Sequence, residues 1–280
     1  MRLILNLALG MILSVVTFAS QSANELIILS DSDHLDLKDG NVFRTGFYLN
    51  ELMQPVKRLM DAGHTITFAT PNGLAPALDK SSNDKMYFNG DEESLKIHRS
   101  LLDKLQLTSS KTSPVISLAR VEQIGYDHFD ALYIPGGHAP MQDLLTSKAV
   151  GKVLKTFHEG NKPTALVCHG PIALLATLHN PEIFTQQLAD AGHASSQPGW
   201  IYSGYRMTVI SNKEEEIAKS LLNGGVMKFY PQTALEQAGG KLSSNTEPFT
   251  SHVVTDRELI TGQNPASAAD VADELLSRLK

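Results

Sequence analysis

Two patterns of apolar residues alternate along this chain. Short unbroken runs, ELIILS (residues 25–30), HTITFAT (64–70), DALYIP (130–135) and PTALV (163–167), have the length and composition of buried strands. Between them the spacing lengthens to that of a helix. Leu49, Leu52, Met53, Val56, Leu59 and Met60 form one stripe, closed by Gly63 as a C-cap; Pro55 inside it should kink the helix or mark its true start. Further helices are predicted over 91–105, 149–159, 171–178, 213–222, 232–238 and 267–279, and further strands over 207–211, 252–255 and 259–261. Residues 31–44 read as a polar loop, and 74–118 as an insertion lying over one end of the sheet. Strands alternating with helices predict an α/β fold, a mainly parallel sheet covered on both faces, in a single domain over 24–280.

The first residues follow a different pattern. Arg2 precedes an almost wholly apolar stretch (3–19), and SQSAN follows. That is the order of a secretory signal peptide, with cleavage after Ala19 or Ala23. The run is slightly shorter than the roughly 20 residues a membrane span needs, so the expectation is an exported protein, periplasmic or secreted, without stable membrane insertion after cleavage. An uncleaved anchor is the alternative.

Composition adds exclusions. The chain is 42% hydrophobic and 19% charged, as globular proteins are, with formal net charge −6 and no basic block, which argues against a nucleic-acid partner. The ten histidines are scattered and neither HExxH nor CxxC occurs, so no metal and no cofactor are expected. A single cysteine, Cys168, cannot form an internal disulfide.

Cys168 falls where the strand PTALV gives way to the predicted helix at Pro171, with Gly170 permitting a tight turn. The carboxyl ends of parallel strands are where α/β proteins build sites, and a sharp strand-to-helix turn presents its central side chain outward. A helix N-terminus behind the turn would lower the thiol pKa. The competing reading is a buried core cysteine. His169 could take a proton, or offer its N–H to an oxyanion, or be simply a turn residue. Gly136, Gly137 and His138 close the neighbouring strand; the glycines would expose N–H groups there, as many loops do.

Four stretches together carry a resemblance: TGFYLNELMQPVKRLMDAGHTITFATPNG (45–73), YIPGGHAPMQDL (133–144), ALVCHGPIALL (165–175) and HVVTDRELITGQNPASAADVADELL (252–276). In this order, PGGH, VCHGP and ITGQNPAS resemble the Hsp31-like branch of the DJ-1/PfpI superfamily. The resemblance implies a flavodoxin-like, class I glutamine amidotransferase-like three-layer sandwich. It implies that Cys168 is the reactive cysteine and His169 its partner. Glu51 would be a protonated carboxyl hydrogen-bonded to the sulfur that shuttles protons, and Gly137 an oxyanion-hole position. The segment SGYRMTVISNKEEE (203–216) would supply a third carboxylate; counting from Gly204 favours Glu215, with Glu214 and Glu216 as rivals. Glu51 lies off the apolar stripe of its helix; shielded from water beside a thiolate its pKa would rise, whereas an ordinary surface glutamate is the plainer reading.

The branch is associated with cofactor-free conversion of methylglyoxal to lactate, with removal of early glycation adducts, and with holdase activity. The expected substrate is therefore a small aldehyde or a glycated molecule, and the expected assembly a homodimer. A cysteine amidase or peptidase is the first rival, since the same groups suit acyl transfer. A non-enzymatic stress holdase or redox sensor is the second. The 74–118 segment is expected to border the pocket and set substrate choice.

Overall fold

The protein is described by a computed structural model covering residues 22–279. The apolar leader and the earlier of its two cleavage points lie outside the described residues. Among those described, no helix is long and apolar enough to cross a membrane.

The chain opens with β1 (Asn24–Ile28), the β2–β3 hairpin (His34–Asp36, Val42–Arg44), α1 (Leu49–Asp61) and β4 (Thr65–Thr70). Then come α2 (Glu92–Leu105), β5 (Ile116–Ser117), α3 (Leu118–Ile124), β6 (Ala131–Ile134), α4 (Lys148–Glu159), β7 (Thr164–Val167) and α5 (Pro181–Ala191). β8 (Arg206–Met207), α6 (Asn212–Ala218), α7 (Pro231–Ala238), β9 (Lys241–Leu242), β10 (Val253–Asp256), β11 (Leu259–Gly262) and α8 (Ala268–Ser277) complete it. Seven strands form the main sheet in the order β10-β11-β7-β6-β1-β4-β5. Every pairing is parallel except the β10–β11 hairpin. All residues of β6, β7 and β11 are buried, which requires cover on both faces of the sheet. α1 packs against both α2 and α8, and α4 packs on β7 and on the segment that follows it.

Four local expectations change. The stretch 31–44 is not a plain loop: Leu35 and Leu37 are buried, and the β2–β3 hairpin turns through Gly40. The predicted strand 207–211 shrinks to β8, which pairs with β9 outside the main sheet; Thr208 and Ile210 instead make single bonds to Thr261 Oγ1 and to the Cys168 carbonyl. The predicted helix 171–178 is a run of 3₁₀ turns over Gly170–Thr177, buried at every position. Within 74–118, α2 packs on α1 and the last residues, β5, extend the sheet edge beside β4.

Pro55 does not mark the start of α1, which runs through it. A proline lacks the N–H that would bond the carbonyl four residues back, so the Glu51 carbonyl loses its helical partner. The buried Tyr133 hydroxyl of β6 fills that gap, donating to Glu51 O at 2.5 Å. The first turn of α1 is thereby tied to the carboxyl end of the central strands.

At the other end of the sheet, Glu25 of β1 is fully buried and neither carboxyl oxygen has a hydrogen-bond partner among the described residues. Burial, reinforced by Asp130, raises its pKa from 4.5 to about 8. The folded state thus keeps Glu25 neutral, while the unfolded chain ionises it near 4.5. The stability this supplies is whole below about pH 4.5 and is lost as pH rises to about 8. Urea denaturation at pH 5 and pH 8 should show Glu25→Gln losing less stability over that interval than the parent, by up to about 3 kcal/mol. Equal losses in the two proteins would contradict this ionisation.

Candidate active site

β7 ends at Val167, and Cys168 takes a left-handed backbone conformation, φ +58°. That conformation costs a non-glycine residue on the order of 1–3 kcal/mol and persists where the surroundings enforce it. Here the Cys168 N–H donates to Gly262 O at 2.9 Å and its carbonyl accepts from Ile210 N at 3.1 Å, so both sides of the turn are pinned. The side chain is swung out of the strand direction into a cavity above the sheet, although it is only 2% exposed.

The next residue closes a relay. His169 Nδ1 lies 3.4 Å from Cys168 Sγ, and His169 Nε2 lies 2.8 Å from Glu215 Oε1. The carboxylate accepts, so Nε2 carries the hydrogen and Nδ1 presents a lone pair to the thiol. Both partners are buried, His169 at 4% exposure and Glu215 likewise.

Three consecutive glutamates start α6, and the structure gives them three directions. Ser211 caps the helix, its hydroxyl accepting from Glu214 N, while the Glu214 carboxylate accepts from Ser211 N and Oγ. The same carboxylate accepts from Gln263, Asn264 and the Phe249 N–H. Glu214 is therefore the buried clamp of this region, Glu215 faces His169, and Glu216 lies outside, bonded to the Tyr230 hydroxyl and to Lys219. The Ser-x-x-Glu spacing of 211–214 is a capping-box signature. It is the signal in the sequence that marks Glu214 as structural.

Glu51 approaches the thiol from the other side. It is completely buried; Oε2 accepts the Gly136 N–H at 2.8 Å and Oε1 has no hydrogen-bond partner among the described residues. Burial dominates and raises its pKa to about 8, so near neutral pH the carboxyl holds its proton. It is not the ordinary surface glutamate that its position off the apolar stripe would allow. The Cys168 thiol is also pushed up, well above 9.0, first by burial and then by Glu51 and Glu215. The push from Glu51 vanishes while that group is protonated. This direction is opposite to the expected lowering by a helix N-terminus. The segment behind the turn is 3₁₀ and apolar but for Thr177, and the charged groups that act on the thiol are carboxylates rather than cations.

The glycine turn after β6 divides its roles. The Gly136 N–H is committed to Glu51, so it does not aim at an oxyanion as the sequence suggests. A Cβ at Gly136 would stand 2.7 Å from Glu51 Oε2 and 2.8 Å from Cys168 Cβ, so the acid and the thiol can meet only past a glycine. Gly137 has φ +84°, and a Cβ there would lie 2.0 Å from Gly46 O. Among the described residues neither Gly137 N–H nor His169 N–H donates a hydrogen bond, which leaves both for a developing oxyanion. The buried His138 ring lies 4.3 Å from that of His169. Burial, then His169, holds its pKa well below 6.5, so it is neutral, and its Nδ1 has no hydrogen-bond partner among the described residues.

His138, His169 and Glu215 also bring three potential ligand atoms within 4.8 Å of one another. The reading of no metal-ligand spacing could not see this set, because three separate segments assemble it. Two imidazoles and a carboxylate suit a divalent transition metal. A cation using the lone pairs that face one another there would displace the 2.8 Å contact between His169 and Glu215. That bond is formed in the structure, and its chemistry is that of a proton relay.

An open parallel sheet with a nucleophile on a strained strand-end turn, backed by a His–carboxylate pair, defines a class of α/β thiol proteins. Residues 42–180 match the model of the DJ-1/PfpI family, and the chain belongs to that family. It is 26% identical over 273 residues to a Schizosaccharomyces pombe protein named "Probable glutathione-independent glyoxalase hsp3103", covering 92% of this chain and 98% of that one. It is 26% identical over 249 residues to the Staphylococcus aureus "Protein/nucleic acid deglycase HchA", covering 88% and 76%. The fold matches that of Candida albicans glyoxalase III with TM-score 0.66 at 19% identity, over 92% of this chain and 98% of that one.

The division of labour among the glutamates is measurable. Removing the Glu214 carboxylate strands several buried donors, so Glu214→Ala should lower unfolding free energy by about 3 kcal/mol, whereas Glu216→Ala should stay within about 0.5 kcal/mol. Urea denaturation monitored by circular dichroism checks this; similar values for the two variants would contradict the assignment.

Proposed function

We propose that this protein is a cofactor-independent, cysteine-dependent enzyme acting on reactive α-oxoaldehydes, converting methylglyoxal-type compounds to 2-hydroxy acids. The observation that carries the reading is the placement of two proton-handling groups beside one thiol. His169, held by Glu215, offers a lone pair, and buried Glu51 offers a proton. Acyl transfer needs only the first of these. Moving a proton between adjacent carbons uses both. The glyoxalase and deglycase names of the relatives point to the same substrate chemistry.

The geometry supports the following course for the reaction. Cys168 Sγ bonds to the aldehyde carbon while His169 Nδ1 takes the thiol proton and passes it to the oxyanion, which the N–H groups of Gly137 and His169 steady. The product is a hemithioacetal. His169 then removes the remaining hydrogen of that carbon as Glu51 protonates the ketone oxygen, giving an enediol. His169 returns its proton to the second carbon, and the Glu51 carboxylate takes the hydroxyl proton from the first. A thioester results, with His169 and Glu51 as they began. Water, deprotonated by His169, hydrolyses the thioester, releasing the 2-hydroxy acid and restoring the thiol. Each transfer is general acid–base catalysis over short distances. We further propose that the apolar leader directs this chemistry outside the cytosol, towards external aldehydes or glycated proteins, and that the protein works as a homodimer.

The test is loss of methylglyoxal and appearance of lactate without glutathione. Cys168→Ala should abolish turnover, and Glu51→Gln should lower kcat by about 10²–10⁴. Because Glu51 must enter protonated, kcat should fall as pH rises through about 8. Turnover that survives Cys168→Ala, or amide hydrolysis in place of lactate formation, would overturn the proposal.

A further inference from the structure

The cavity over Cys168 is larger and more apolar than a three-carbon dicarbonyl needs. Its volume is about 370 Å³, within the range of about 300–1,000 Å³ typical of sites for drug-sized ligands. The floor is polar, with Cys168, His169, Glu215 and His138. The mouth is different: Met86, Ile217, Leu221 and Phe249 stand around it with 69, 54, 44 and 43% of their surface exposed. These are four of the large apolar residues that the fold leaves in water, and they converge on one opening. Among the described residues that line the cavity there is no lysine or arginine, and Glu215 is the one carboxylate.

Phe249 is the informative member. Its backbone is left-handed, φ +58°, a conformation that bulky side chains avoid. Its N–H is held at 2.8 Å by the buried Glu214 carboxylate. The loop around it is clamped as well: Asn264 Nδ2 donates to Thr250 O, and Asn245 Nδ2 donates to Thr250 Oγ1 and Ser251 O. An unfavourable backbone is thus enforced from several sides, and the result is an aromatic ring kept half in water at the rim of the thiol pocket.

We propose, resting on the aldehyde reading above, that the preferred substrates are uncharged α-oxoaldehydes bearing an apolar tail of several carbons or an aryl ring, and that Phe249 is a specificity-determining residue that covers the tail. The reacting dicarbonyl sits on the polar floor, and the tail lies along Met86, Ile217, Leu221 and Phe249. Each methylene buried there raises binding by about fourfold. Anionic α-oxoaldehydes, such as a carboxyethyl-substituted glyoxal, are disfavoured, because no cation among the described lining residues offsets their charge and Glu215 repels it.

The experiment measures kcat/KM for methylglyoxal, phenylglyoxal, a hexyl-substituted glyoxal and a carboxyethyl-substituted glyoxal, with the parent and with Phe249→Gly. Glycine suits the left-handed backbone and keeps the N–H that Glu214 holds, so the loop is retained. The parent should favour the phenyl and hexyl compounds over methylglyoxal by at least tenfold, chiefly through KM, and turn over the carboxyethyl compound poorly. Phe249→Gly should lower the phenylglyoxal-to-methylglyoxal ratio at least fivefold, and Phe249→Leu should restore part of it. Turnover of methylglyoxal with no preference for apolar tails, or a ratio indifferent to Phe249, would overturn this inference and leave the aldehyde reading standing. No turnover of any oxoaldehyde, from protein with a reduced thiol, would overturn both.

Discussion

A carboxyl group taken wholly out of water must find a counter-charge or keep its proton, and Glu51 has no counter-charge. Its one strong contact is the Gly136 N–H, which is insufficient to offset burial, so its pKa rises to about 8. Much of the surrounding architecture serves to put that neutral acid beside Cys168. Pro55 frees the Glu51 carbonyl and Tyr133 ties it to the sheet. Gly136 removes the Cβ that would separate acid from thiol. The strained turn at Cys168 brings the sulfur to the same point from β7.

The consequence is a thiol that is protected rather than permanently ionised. Burial, and after it the Glu215 carboxylate, hold the Cys168 proton on, and the base that removes it is already in place 3.4 Å away. Such a site makes its nucleophile on demand, when a substrate carbonyl replaces the thiol proton as the partner of sulfur. For the lone cysteine of the chain, this arrangement also slows oxidation, which proceeds through the thiolate.

The parts legible in the sequence were those carried by strong local patterns. Apolar runs located β1, β4, β6 and β7, and the strand-to-turn step at ALVCHGP located the thiol. The favoured choice of Glu215 among three glutamates agrees with the 2.8 Å contact to His169, but it came from counting within a resemblance; the physical discriminator is the Ser211–Glu214 cap. The hairpin at 31–44 was hidden because Asp and Gly dominate its composition, while only Leu35 and Leu37 report burial. The stretch expected as a strand at 207–211 is apolar without being one: Val209 and Ile210 are buried outside any strand, and Ile210 N donates to the Cys168 carbonyl. The direction of the thiol pKa is not legible in the sequence, which shows neighbours along the chain but neither the burial of the thiol nor Glu215, which arrives from elsewhere. Phe249 gave no signal at all, since a left-handed backbone at phenylalanine is imposed by Glu214 and Asn264 from outside its own segment.

The central claim is that Cys168 rests as a thiol, with Glu51 protonated beside it. The most direct test is the rate of alkylation of Cys168 by iodoacetamide as a function of pH, in the unliganded protein. The account predicts slow modification at neutral pH and a rate that keeps climbing above pH 8, with no plateau before it. A rate already at its plateau between pH 6 and 7 would show a preformed thiolate and contradict the account.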